Sequence, residues 1–293
     1  ANDAVFIAMM AFLNPGDEVI IPNPAWLHYY YCAELSGAVP VSVPLRAENA
    51  YAVDPEEVES LITSRTKMLV VNTPHNPTGA VLERGVLEQL ADIACRHDLI
   101  VLSDEIYEKL IYDGLCHVSL GSLPGMWERT ITVNGFSKAY SMTGWRLGYV
   151  VAKENFISAM IRVHQYTVTC ATSFAQRGGV AALRGPQECV ESMRKEFDRR
   201  RQILIDAFCN DGADGLTMVR PRGAFYGMLD IRSTGMNSED AARFFLQEAG
   251  VAMVPGSAFG EHGEGYLRVA YSNSYENVSR AVTLIKEAVR RLR

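Results

Sequence analysis

The sequence predicts an α/β protein. A large α/β/α domain built on a mostly parallel sheet covers residues 1–185, and a smaller C-terminal α+β domain covers residues 186–293. Three observations carry this. Short apolar, β-branched runs alternate with helix-length stretches as far as residue 152, the pattern of βαβ units on a parallel sheet. Asn76, Asp104 and Lys138 each fall just after one of those runs, where parallel α/β sheets collect ligands outside the carboxyl ends of their strands. Beyond Gly185-Pro186 the composition shifts, first to a helix with a dense charged face and then to a new series of short strands and helices.

Taken in order, Asn2 or Asp3 is expected to cap a helix over residues 4–13, which Asn14-Pro15-Gly16 ends. The N–H groups at such a helix start can bind an anion. Residues 18–21 read as a strand, Pro22-Asn23-Pro24 as a rigid turn, and 25–36 as an aromatic-rich helix with Trp26 at its start. Trp26 is either core or a flat face offered to a planar ring. Strands follow at 39–43, 67–72 and 99–103, with a helix opened by Asp54-Pro55 and another over 82–97. The loop Thr73-Pro74-His75-Asn76-Pro77-Thr78-Gly79 breaks the chain after the third strand and offers Asn76 as a donor. His75 is expected to line that loop, not to act in catalysis. Asp104 directly follows an apolar run, so its carboxylate needs a partner. That partner is a cap, a cation or a pyridinium nitrogen, and Tyr107 lies close enough in sequence to reach the same ring.

Residues 130–133 and 149–152 read as strands flanking Gly135-Phe136-Ser137-Lys138-Ala139-Tyr140-Ser141-Met142-Thr143-Gly144-Trp145-Arg146-Leu147-Gly148. Lone cations in a glycine-rich loop are usually surface residues. At the end of a buried strand, however, desolvation and a cationic neighbour lower a lysine's pKa, and the neutral amine attacks carbonyls. Arg146 keeps its charge and, with Ser137, suits a phosphate. A long helical region, roughly 155–183, is expected next, then strands at 224–231, 251–254 and 265–271 and helices at 239–249 and 276–292. Arg268 sits inside the last of these strands. It needs an anion, either an internal carboxylate or a substrate carboxylate held by both arms of its fork.

The bulk numbers exclude several classes. The 293 residues suggest about two domains, and 48% hydrophobic with 21% charged residues is ordinary for a globular chain. A net charge of −6 without a basic block argues against nucleic acid. No apolar run reaches the ~18 residues of a membrane span, and no leader peptide is visible, so a cytoplasmic protein is expected. The six cysteines form no CxxC and the histidines no ligand spacing, which predicts buried reduced thiols and no metal. GxGxxG, GxxxxGK[ST], HExxH and GxSxG are all missing. The chain opens on Ala1, almost directly into a helix, and is expected to be clipped at its N-terminus.

From Asn14-Pro15-Gly16-Asp17-Glu18, through Asn76-Pro77-Thr78-Gly79, Asp104-Glu105-Ile106-Tyr107 and the Lys138 stretch, to Gly223-Ala224-Phe225-Tyr226, Pro255-Gly256-Ser257-Ala258-Phe259-Gly260 and Arg268, the sequence resembles the class I/II aminotransferases. These are fold-type I enzymes dependent on pyridoxal 5′-phosphate (PLP), and the likeness is greatest to aspartate and aromatic amino-acid aminotransferases of bacteria and archaea. The resemblance implies a ping-pong transfer of an amino group between an amino acid and a 2-oxo acid such as 2-oxoglutarate. It also implies roles: Lys138 for the Schiff base and the proton shuttle, and Asp104 for the ring nitrogen. Asn76 and Tyr107 match the pair on the phenolic oxygen, and Ser137, Arg146 and the Ala1–Asn2 amides match the phosphate ligands. Trp26 matches the stacked aromatic and Arg268 the α-carboxylate ligand. A homodimer with active sites at the subunit interface is implied too. A C–S lyase on the same fold and a non-catalytic sensor domain remain as alternatives.

Overall fold

In a computed structural model, the described residues are 1–210, 212 and 214–292. Helix α1 (Asn2–Phe12) opens the chain. It begins earlier than expected: Ala1 takes the N-cap position and no side chain caps it, so its first-turn N–H groups have no partner within the helix. Strand β1 (Glu18–Asn23) is buried throughout. Pro22 and Asn23, expected in a turn, extend it, because they lie opposite Val43 and Pro44 of β2 (Val39–Pro44). Between these strands runs α2 (His28–Leu35), which starts later than expected and leaves Trp26 in the connection. Asp54 caps α3 (Pro55–Ser60) by accepting from Glu56 N at 3.0 Å. There follow β3 (Thr66–Asn72), α4 (Arg84–Arg96), β4 (Ile100–Asp104), β5 (Thr130–Gly135) and β6 (Gly148–Val151).

These strands form one sheet in the order β2-β1-β3-β4-β5-β6, parallel except for β6, which runs antiparallel to β5. The strands are apolar at nearly every position because both faces are covered. Alternate residues face opposite layers. Met68 and Val70 join a core with α1 and α2, while Leu69 and Val71 join another with α3 and α4.

The helical region expected over 155–183 is made of two helices, α5 (Glu154–Thr167) and α6 (Ser173–Arg184). The β-branched run Thr167-Val168-Thr169 favours a break, and Thr169 adopts φ 65°. Helix α7 (Glu188–Phe208) follows. Strands β7 (Thr217–Met218), β8 (Tyr226–Asp230), β9 (Val254–Pro255) and β10 (Tyr266–Ala270) make a second, antiparallel sheet ordered β7-β8-β10-β9. Helices α8 (Ser238–Ala249) and α9 (Tyr275–Arg290) share with α7 the core beneath it. Tyr107, Leu110 and Tyr112, just past β4, belong to that same core, so the segment after Asp104 is gripped from the C-terminal side.

All six cysteines are free, but only Cys32 is buried; Cys209 is half-buried and the other four are exposed. Apolar sequence neighbours did not reveal which face of each element the thiol takes.

Arg201 on α7 is fully buried. Its guanidinium donates to Asp113 Oδ1 and Oδ2 at 2.6 and 2.9 Å, to Asp198 at 2.9 Å and to the Pro221 carbonyl at 2.7 Å. It thereby fastens the segment after Tyr107 to α7. Arg201 and Arg220 together hold the Asp113 carboxyl well below the usual carboxylate range. Asp113→Ala, which leaves a buried cation short of a partner, should cost about 3 kcal/mol in chemical denaturation. The Asp113 contribution should be fully present above pH ~4 and fade as pH falls below it. A loss under about 0.5 kcal/mol would show that the network is not stabilising.

Candidate active site

The parallel strands deliver their last residues to one place. Asn72 ends β3, Asp104 ends β4 and Gly135 ends β5. A cavity of about 270 Å³ lies beyond these ends. Ala1, Asn2, Trp26, Asn76, Asp104, Tyr107, Ser137, Lys138, Arg146 and Arg268 all line it, so every residue singled out from the sequence meets in one crevice. Asn72, Tyr29, Ile106, Thr143 and Tyr226 line it as well.

At the floor, the Asp104 carboxylate accepts from Tyr29 Oη at 2.7 Å and from Ile106 N at 3.1 Å. Burial pushes its pKa up, and these two donors oppose the shift. Asn72 Nδ2 donates to the Asp104 carbonyl at 2.9 Å, and Asn72 Oδ1 accepts from Asn76 N at 3.0 Å. One buried amide thus ties the Asn76 loop to β4. Gly79 closes that loop at φ 73°, where an added Cβ would lie 2.5 Å from both Pro221 Cβ and the Tyr226 carbonyl oxygen. His75 is buried within the loop, its Nδ1 2.8 Å from Thr78 Oγ1. Burial drops its pKa to about 3, which keeps the ring neutral, and it does not line the cavity.

Lys138 is half-buried, with Nζ 5.8 and 5.7 Å from the ring centroids of Tyr107 and Phe225. Burial lowers its pKa, and Arg268 and Arg146 lower it further against the pull of Asp104. The amine is therefore biased toward its nucleophilic, neutral form. Arg146 adopts the left-handed conformation at φ 52° and donates to the Thr143 carbonyl at 2.8 Å. It stays exposed beside Ser137 and the start of α1. An added Cβ at Gly148 would overlap the Ala1 nitrogen, so glycine there lets the helix start approach this loop.

Arg268 on β10 donates to Asn76 Oδ1 at 3.0 Å. This turns the Asn76 Nδ2 donor away from the arginine. The guanidinium lies 4.4 Å from the Tyr226 ring centroid and 4.8 Å from that of Phe259. Its Nε is buried without a partner, and burial lowers its pKa. Among the described residues no carboxylate pairs with it. A desolvated cation with a spare buried donor at a cavity wall is a receptor for an anion.

The donor set fits PLP. A lone amine, a buried carboxylate, an amide and a phenol surround a space for a small ring, and a free helix start, a hydroxyl and a guanidinium lie beside it for a phosphate. Fold and site together define a fold-type I, PLP-dependent transferase. The model for "Aminotransferase class I and II" matches residues 1–285, and the chain belongs to that family. Its members transfer amino groups with PLP as cofactor, and this chain is a PLP-dependent aminotransferase.

It is 46% identical over 292 residues to the aspartate aminotransferase of Pyrococcus abyssi, a match covering 99% of this chain and 74% of that one. It is 42% identical to aromatic-amino-acid aminotransferase 2 of Thermococcus litoralis, covering 99% and 74%. The crystal structure of the aromatic aminotransferase from Pyrococcus horikoshii superposes with a TM-score of 0.96 at 44% identity, covering 100% of this chain and 79% of that one.

Tyr29, Asn72 and Tyr226 were missed from sequence. Tyr29 stood in an aromatic run whose facing was unreadable, while Asn72 ended a strand like any polar residue. Gly79→Ala should destabilise the fold by about 2 kcal/mol or more, because it adds left-handed strain to a steric overlap. Thermal unfolding checks this, and an unchanged Tm would mean the Asn76 loop is less constrained than its packing implies.

Proposed function

We propose that the protein transfers the amino group of aspartate or glutamate, or of an aromatic amino acid, to a 2-oxo acid such as 2-oxoglutarate by a ping-pong cycle. The reading rests on one observation: Asp104, buried, and Lys138 and Arg268, each half-buried, line the same 270 Å³ cavity. The substrate pair follows the named activities of the relatives, aspartate aminotransferases and an aromatic-amino-acid aminotransferase. Those names also favour amino transfer over a C–S lyase or a non-catalytic sensor.

Lys138 would hold PLP covalently. Asp104 would keep the ring nitrogen protonated, and Asn76 Nδ2 and the Tyr107 hydroxyl would hydrogen-bond the phenolic oxygen. The α1 start at Ala1 and Asn2, Ser137 and Arg146 would take the phosphate, with Trp26 over a ring face. Bound there, PLP supplies an electron-withdrawing ring that stabilises negative charge at the substrate Cα. Arg268 grips the α-carboxylate on its fork and so fixes which Cα substituent faces Lys138. Lys138 Nζ, neutral once free, would remove the Cα proton and, from the ammonium so formed, deliver it to the carbon on the other side of the transferred nitrogen.

The division near residue 185 into two domains is likewise proposed, supported by the two separate sheets. A homodimer is supported by apolar side chains left exposed on α5 and α6, among them Ile161, Tyr166, Phe174 and Leu183. Ile161 also lines a second cavity of about 600 Å³ that shares Ser137 and Arg146 with the first. No described helix is long and apolar enough to cross a membrane, and a cytoplasmic location is proposed with it.

A panel of amino donors against 2-oxoglutarate tests the substrate reading. Aspartate, glutamate or an aromatic amino acid should lead, and pyruvate formed without an acceptor would instead support the lyase. Borohydride should fix PLP to the wild-type protein and not to Lys138→Ala; equal yields would overturn the Lys138 role. Arg268→Gln should lower kcat/KM by about 100-fold, the size of one strong charge-assisted hydrogen bond.

A further inference from the structure

The Asp104 carboxylate has an unusual keeper. Tyr29 comes from α2, an element that contributes no other residue to the cavity. Its hydroxyl, on a side chain 1% exposed, donates to Asp104 Oδ2 at 2.7 Å. The other oxygen, Oδ1, takes only the weaker backbone bond from Ile106 N at 3.1 Å. Each oxygen therefore keeps a lone pair for the cavity.

We propose that Tyr29 is a positioning residue for the reaction: its phenol holds Asp104 ionised and aimed at the cavity, so that the carboxylate can retain a proton on a ring nitrogen bound there. The inference rests on the reading of Asp104 given above and adds the residue that makes that reading work.

The physical conflict is plain. Burial drives Asp104 toward the neutral acid, and a neutral carboxyl cannot stabilise a pyridinium. The groups facing it are Tyr29 on α2, Lys138 beyond β5, and Glu105 and Tyr107 on its own segment. Lys138 belongs to the cavity, where a bound cofactor would engage it. Tyr29 and the Ile106 amide remain as fixed donors to the ionised form. Burial and Asp104 itself raise the Tyr29 pKa well above its ordinary value, so the phenol stays a donor throughout the working range. A hydrogen bond to a charged group contributes about 1.5–3 kcal/mol, equivalent to roughly one to two pKa units on the acceptor.

The test uses PLP-loaded wild type, Tyr29→Phe, Asp104→Asn and the double variant, with the pH titration of the bound cofactor's absorbance as readout. Phe fills the same volume, and circular dichroism checks the fold. Tyr29→Phe should move the titration midpoint in the same direction as Asp104→Asn, by about half a unit or more. It should add nothing in the Asp104→Asn background, where the coupling is already gone. It should also lower kcat with KM little changed. A wild-type midpoint in Tyr29→Phe would overturn the proposal. So would an equal shift in both backgrounds, which would make Tyr29 a packing residue. If Asp104→Asn itself titrates like wild type, the reading of Asp104 falls as well; if it shifts while Tyr29→Phe does not, only the Tyr29 inference falls.

Discussion

The structure turns on the partial or full burial of three ionisable groups at one spot. Lys138, Asp104 and Arg268 each lose hydration, and burial is the largest influence on the pKa of each. Such burial is costly unless each group is paired. The protein pairs them only partly. Asp104 has a phenol and an amide, Arg268 has one side-chain oxygen, and its Nε has nothing. All three residues line one cavity, and unmet capacity of this kind is what a polar or anionic ligand satisfies. Ligand-free protein stores that cost, and ligands relieve it.

The rest of the fold exists to hold these groups still. The parallel sheet sets the ends of β3, β4 and β5 side by side, which puts Asn76, Asp104 and Lys138 on one rim. The antiparallel sheet brings Arg268 to the same rim, where it donates to Asn76 Oδ1 at 3.0 Å. Arg201 locks the chain beyond Tyr107 to α7, and Asn72 locks the Asn76 loop to β4. Positioning these groups on strand ends and on loops pinned by buried hydrogen bonds gives the precision that proximity effects require.

Much of this was legible in the sequence, for physical reasons. Buried parallel strands announce themselves as apolar runs, and a polar residue directly after such a run has few places to go. That logic found Asn76, Asp104 and Lys138, and an arginine inside an apolar strand found Arg268. What it missed depended on side-chain direction. Tyr29 and Tyr30 are neighbours on α2, yet one holds Asp104 and the other reaches the Pro22 carbonyl and Ser42. The thiols of Cys95 and Cys189 face outward despite apolar neighbours. The break between α5 and α6 turned on β-branched propensity, too weak a signal to override an apparent helical period. Cap positions shifted by a few residues because α1 uses no side-chain cap.

The central claim is that burial among Arg268, Arg146 and apolar rings makes Lys138 an amine primed for carbonyl chemistry. The most direct measurement is the pH dependence of Lys138 modification by an amine-specific reagent in the PLP-free protein, read by peptide mass spectrometry against surface lysines such as Lys195. The account predicts a midpoint for Lys138 clearly below the ordinary lysine value of about 10.4. A midpoint coinciding with that of the surface lysines would contradict it.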